Sequence, residues 1–199
     1  MFAPFIMRSG LLLPPSADWT ERFTDNFNRS NENLSANASW NNASGPAGGM
    51  AVSSNQLLMD TNFASSLHEH TGSLGNDQYA EIVYKSHSTA GGDNIAGPVI
   101  RYTDTSNFYW CRIDITGGTI DLLTNSTGFT EIGSNTYSPT ADDVIRIDAV
   151  GTTIRVLVNS SVQVSVTDSD HSSGTAGLRC YQSSNNETMT FDDYASGDQ

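Results

Sequence analysis

The sequence predicts an all-β protein: a two-sheet antiparallel β-sandwich over residues 21–199, preceded by an extended N-terminal arm over residues 1–20. Three observations predict it. The stretch DDVIRIDAVGTTIRVLVNSSVQVSVTDSDHSSGTAGLRCY, Asp142 to Tyr181, alternates apolar and polar residues with period 2 and breaks at polar turns. No stretch carries the 3.6-residue period of an amphipathic helix. Charged residues are only 16% of the chain, so Ser, Thr, Asn and Gly fill the polar positions, as suits a sandwich with many turns.

The arm, MFAPFIMRSGLLLPPSADWT, has neither helical nor strand period. Pro4, Pro14 and Pro15 favour extended backbone. Phe2, Phe5, Ile6, Met7, Leu11, Leu12 and Leu13 would each contribute roughly 1.5–3 kcal/mol on burial, so the arm is read as an assembly strap that orders against a preformed groove. Its alternative is a cover for its own domain. Arg8 and the Ser9, Gly10 and Pro14 interruptions do not match a signal peptide, and the Asn-x-Ser/Thr sequons are accordingly read as unused.

In ERFTDNF, Phe23, Asp25 and Phe27 share one parity. Trp40 opens the next segment and is expected to plug the sandwich core. Strands follow from about Met50 and from Gln56, at Ser65 to His70, and at Gln78 to Ser86 with Ala80, Ile82 and Tyr84 on one face. After a Gly-rich loop, Pro98 to Tyr102 and Asn107 to Ile115 form a hairpin. Gly117-Gly118 turns into Thr119 to Leu123, and Gly128 to Ile132 is a short strand. In the 142–181 stretch, Ile145, Ile147 and Ala149 point one way. Ile154, Val156 and Val158 form the next inward row, Val162, Val164 and Val166 the third, and Leu178 and Cys180 the fourth. Glu187 to Tyr194 closes the sandwich. One half-buried sheet cannot stand alone, so the remaining strands must supply a second sheet.

Arg101, Arg112, Arg146, Arg155 and Arg179 all read as outward. They are either solvated strand faces with local ion pairs or an Arg-bearing face for a ligand or neighbouring subunit. Cys111 and Cys180 read as buried free thiols, with a disulfide open only if their strands are neighbours. A net charge of −13 argues against a phosphate-backbone partner, and no apolar run is long enough for a membrane helix.

FTDNFNR with Trp40, IRYTDTSNFYWCRIDI, GTTIRVLVNSSVQVSVTDSDHSSGTAGLRCY and the closing FDDY together resemble the concanavalin A-like lectin/glucanase superfamily. The nearest branch is the laminin-G-like jelly-roll domains of bacterial and phage proteins, and the resemblance covers residues 21 to 195. It implies a jelly roll whose first and last strands are adjacent, with ERFTDNF near ETMTFDDY. Its motifs mark strand order and turns and say little about activity, although some members of the superfamily are glucanases. Glucanases of the superfamily carry Glu-x-Asp-x-x-Glu on one strand, and retaining hydrolysis needs two carboxyls about 5–5.5 Å apart. Here CRIDITGG and IRIDAVGT each carry a lone acid, Asp114 or Asp148, so hydrolysis by that route is not expected. The resemblance makes a structural calcium possible, with Asp25 and Asp192 or Asp193 as the matching acids, although no cofactor is required. Asp168 and Asp170 on a turn are a second candidate pair. His68-Glu69-His70 lacks the further ligands of a zinc site and reads as solvated histidines on a strand edge.

Outward Trp110, Arg112, Arg179 and Tyr181 form a candidate ligand platform, since aromatic rings beside polar groups suit both sugars and protein interfaces. The expectation for function is a non-enzymatic virion structural protein, a capsid decoration or tail-associated subunit. It would attach through the arm to subunits of a larger assembly, as a homo-oligomer within it. The alternative is an extracellular carbohydrate-binding module recognising a surface glycan.

Overall fold

The structure, a computed structural model, describes residues 18–59, 65–88, 94–182 and 188–199. The arm residues Phe2, Phe5, Ile6, Leu11, Leu12 and Leu13 lie outside the described residues. Among the described residues the chain forms strands and two short 3-10 turns, with no α-helix. The strands build two antiparallel sheets, so the sequence-predicted jelly-roll sandwich is present.

The nine-stranded sheet contains β1 (Thr20–Asp25), β2 (Glu32–Asn33), β4 (Met50–Ser53), β5 (Gln56–Met59), β7 (Gln78–His87), β12 (Val144–Val150), β13 (Thr153–Val158), β14 (Ser161–Thr167) and β16 (Met189–Asp198). Its order is β14-β13-β12-β7-β16-β5-β4-β2, and β1 pairs with β16. The seven-stranded sheet contains β3 (Trp40–Ser44), β6 (Ser65–His70), β8 (Asn94–Asp104), β9 (Asn107–Asp114), β10 (Thr119–Asn125), β11 (Phe129–Thr136) and β15 (Thr175–Gln182). Its order is β11-β10-β9-β8-β15-β6-β3. The first and last strands are adjacent, with Asp25 opposite Tyr194 and Thr20 opposite Asp198. Trp19 already packs on the sandwich, its ring 5.4 Å from Tyr79 and beneath Arg146 at 4.9 Å.

The core between the sheets follows the alternation. Ile145, Ile147, Ala149, Ile154, Val156, Leu178 and Cys180 are all fully buried there. Trp40 is 2% exposed and donates Nε1–H to Asp25 Oδ2 at 2.8 Å. Cys111 and Cys180 are buried on β9 and β15 and form no disulfide, and β8 runs between those strands.

Three expectations need correction. Val162 is 51% exposed rather than inward. A bulge between Val156 and Leu157 sets Val162 opposite the outward Leu157, so the β14 row turns over by one residue. Arg101 is 2% exposed rather than outward. Its φ of +52 breaks the alternation within β8, and the guanidinium turns in to donate to the carbonyls of Asn76, His171 and Gly151 at 2.8–3.0 Å. Finally, His68 and His70 are buried, at 0% and 2% exposure, because β6 is an interior strand flanked by β3 and β15. Burial pushes both imidazoles down to about 4.

Candidate functional site

The four sequence-predicted ligand residues share the outer face of the seven-stranded sheet, and strand register explains why. Across β9, β10 and β11 the facing rows are Phe108–Asn125–Phe129, Trp110–Leu123–Glu131 and Arg112–Asp121–Ser134. A bulge between Leu122 and Leu123 keeps Glu131 and Ser134 on the same side. On β15, Arg179 and Tyr181 face outward between inward Leu178 and Cys180. Arg179 stands opposite Gly97 of β8. With no side chain at that position, the guanidinium reaches across β8 to β9. A Cβ at Gly97 would lie 2.0 Å from the Cys111 carbonyl oxygen, so the close approach of β8 to β9 requires glycine.

The result is an aromatic nest around one arginine. The Arg179 guanidinium carbon lies 4.7 Å from the Phe129 ring, 5.1 Å from Trp110 and 6.0 Å from Phe108. Phe129 meets Trp110 and Phe108 edge-on at 5.7 and 5.8 Å. Phe108, Trp110, Leu67, Val99, Tyr102 and Leu123 form a second apolar cluster, separate from the core between the sheets. Trp110 is therefore outward in parity but 2% exposed, and the ring that meets solvent is Phe129, at 45%. Burial pulls the Arg179 pKa down. Neither Arg179 Nε nor Trp110 Nε1, both buried, has a hydrogen-bond acceptor.

Arg112 is tied differently. Its Nε and Nη2 donate to Asp121 Oδ2 at 2.9 and 2.6 Å, and Nη2 also reaches Glu131 at 3.3 Å. Ser134 and Thr119 complete the shell of Asp121, which is 1% exposed. Tyr181 is half-buried at the other end of the face, opposite Ser65 and Ile95. Sequence reasoning missed Phe129 and Phe108. Phe129 lies in a segment read only as a short strand, and its distance from Trp110 depends on hairpin register.

The acids singled out from the sequence are dispersed. Asp114 lies on β9 and accepts the Gly117 N–H at 2.6 Å, closing a turn. Asp148 lies on β12 of the other sheet, where Arg155 binds both its oxygens at 2.8 and 2.9 Å. They are not a catalytic pair. Asp25 accepts from Arg29, the Phe27 N–H and Trp40. Asp168 accepts from Tyr109 and the Asp170 N–H, and Asp170 from Thr124 and Ser126. On β16, Asp192 accepts the Asp193 N–H at 3.0 Å. Among the described residues no group of three or more His, Cys, Asp or Glu could hold a metal.

No family model matches this chain, and no curated protein matches it by sequence. Solved structures do match. The carbohydrate-binding module CBM66 from Bacillus subtilis superimposes with a TM-score of 0.63 at 15% identity, covering 78% of this chain and 94% of that one. The VIP36 exoplasmic/lumenal domain, in a form bound to Ca2+ and Man3GlcNAc, gives 0.59 at 12% identity over 80% and 82%. SCLam, a non-specific endo-β-1,3(4)-glucanase of family GH16, gives 0.62 at 10% over 92% and 93%. The fold is thus the concanavalin A-like jelly roll, as the sequence motifs imply. At these identities the likeness extends to the fold alone, and it is shared by binding proteins and glucanases.

Proposed function

We propose that this chain is a carbohydrate-binding module that holds a glycan on the outer face of its seven-stranded sheet and does not cleave it. The observation that carries the reading is the solvent-facing Phe129 ring, stacked over Arg179 and backed by Trp110 and Phe108. A rigid aromatic surface takes the apolar face of a sugar ring at little cost in side-chain entropy. Tyr181 and the Arg112–Glu131 pair supply hydrogen-bonding groups at its margins. Shared fold with CBM66 and VIP36 supports the reading. Cleavage by a pair of carboxylates is disfavoured because Arg112 holds Asp121 and Glu131 and because Asp114 and Asp148 lie on different sheets. The reading places the protein in an extracellular or surface setting. Among the described residues no helix is long and apolar enough to cross a membrane. The virion-subunit expectation draws in part on the arm sequence, which lies outside the described residues through residue 17.

Affinity electrophoresis in gels containing individual polysaccharides tests the proposal. Retardation by at least one polymer is expected, with Phe129→Ala weakening it about tenfold, which corresponds to about 1.4 kcal/mol. Retardation unchanged by both Phe129→Ala and Tyr181→Ala would move the site elsewhere. Release of reducing ends by the wild type would overturn the non-catalytic half.

A further inference from the structure

The cations of this chain are few, and their partners can be followed one by one. Acidic residues outnumber Lys and Arg by 22 to 9. Arg22 pairs with Asp198, Arg29 with Asp25 and Glu32, and Lys85 with Asp142. Arg146 pairs with Glu81 and Asp148, Arg155 with Asp148, and Arg112 with Asp121 and Glu131. Arg101 serves three carbonyls and lies 3.8 Å from Asp77. Among the described cations Arg179 alone has no carboxylate, in a chain with acids to spare.

Its surroundings deepen the imbalance. Three ring faces stabilise the guanidinium through their quadrupoles, but a ring offers no lone pair to a buried N–H. Two donors on this face, Arg179 Nε and Trp110 Nε1, are sealed from water without an acceptor. Leaving buried donors unmatched is costly, and native proteins seldom tolerate it without a reason. The nearest outward acid on the neighbouring strand, Glu69, stands opposite Gly177, forms no ion pair with Arg179, and bonds Asn41 instead. What the site lacks is negative charge together with acceptor oxygens.

We propose that the glycan recognised on this face is acidic, and that its carboxylate or sulfate group binds the Arg179 guanidinium within the Phe129–Trp110–Phe108 nest. This rests on the carbohydrate-binding reading above and names its ligand class. A planar guanidinium fork matches two anionic oxygens in a way that a lysine ammonium does not. The flanking Phe129 ring receives the sugar that bears the anion. Carboxylate and sulfate present the same chemistry to Arg179, and the choice between them is left to matched polymers.

The experiment is affinity electrophoresis and calorimetry on the full chain with two matched polymer pairs and one neutral control. Polygalacturonate is compared with its methyl ester, dextran sulfate with dextran, and laminarin serves as an unrelated neutral glucan. The wild type is expected to bind polygalacturonate or dextran sulfate at least tenfold tighter than its neutral partner. The responding pair tells carboxylate from sulfate. Arg179→Met, which keeps the packing volume, should abolish the preference without lowering the melting temperature. Arg179→Lys should retain only part of the preference. Lys85→Gln, which removes a cation on the other sheet, should leave it intact. Neutral glycans bound as well as acidic ones would overturn this inference and leave the carbohydrate-binding reading standing. Failure of every polymer to bind would overturn both. An acid preference that survives in Arg179→Met would also overturn the inference. If Arg179→Met does not fold, the matched polymers on the wild type and the Arg179→Lys comparison still decide.

Discussion

Acid should destabilise this protein before its carboxylates are titrated, and His68 is the residue to perturb. Its imidazole is fully buried on β6, with Ser66 Oγ at 3.4 Å from Nδ1 and no partner at Nε2. Asn42 of β3 and Leu178 of β15 are its strand neighbours. His70, two residues on, stacks on Phe23 at 5.0 Å, accepts the Gly72 N–H at Nδ1, and has Thr175 near Nε2. Desolvation holds both groups down to about 4 from an ordinary 6.5, with no acid contributing. The folded pKa is depressed, so the unfolded chain binds more protons between these values. Stability is therefore full above pH 6.5 and is lost as pH falls toward 4. At about 1.4 kcal/mol per pKa unit, each histidine removes roughly 3 kcal/mol over that window. Lowering the pH to 5 removes about 4 kcal/mol from the two together, against a total of about 5–15 kcal/mol for a typical domain. Urea unfolding at pH 7, 6 and 5 measures this, and in His68→Leu the loss between pH 7 and 5 should be roughly halved. Equal stability at pH 7 and 5, or a variant as acid-sensitive as the wild type, would refute the reasoning.

Two further outcomes are expected. Arg101→Met should lower stability by about 3 kcal/mol or more in urea melts, because three carbonyl oxygens lose their donors beside a closely packed turn; a change under about 0.5 kcal/mol would mean that water replaces the guanidinium. Adding a calcium chelator at neutral pH should leave the melting temperature unchanged, since among the described residues no three His, Cys, Asp or Glu side chains gather into a ligand set; a drop of several degrees would reveal a cation site.

What was legible in the sequence follows from what period 2 encodes. The Asp142–Tyr181 stretch and Gln78 to Ser86 gave their inward rows, because the same alternation holds along each regular strand. It fails where the backbone departs from regularity. The bulge beside Val162 and the positive φ of Arg101 each turn a side chain to the face that parity forbids. Alternation also leaves open which side is core, so His68 and His70 were readable as surface residues. The candidate site was legible only in part. Trp110, Arg112, Arg179 and Tyr181 announce themselves by parity, but the nest brings Phe129 of β11 to Arg179 of β15 across three intervening strands. The gap at Gly97 that lets Arg179 cross β8 is likewise a consequence of register.

The placement of β16 bears on how the chain is made. The last strand lies in the interior of the nine-stranded sheet, with β7 along one side and β5 and β1 along the other. During synthesis, everything up to Gln182 emerges before its central partner does. The edges of β7 and β5 then stand open, each a template for a foreign strand. Closing the sheet also demands contacts between residues as far apart as Arg22 and Asp198, which makes the final step slow. A nascent chain stalled just before Met189 would carry every other strand of the sheet yet be unable to close it, and crowded polysomes are where it would first aggregate.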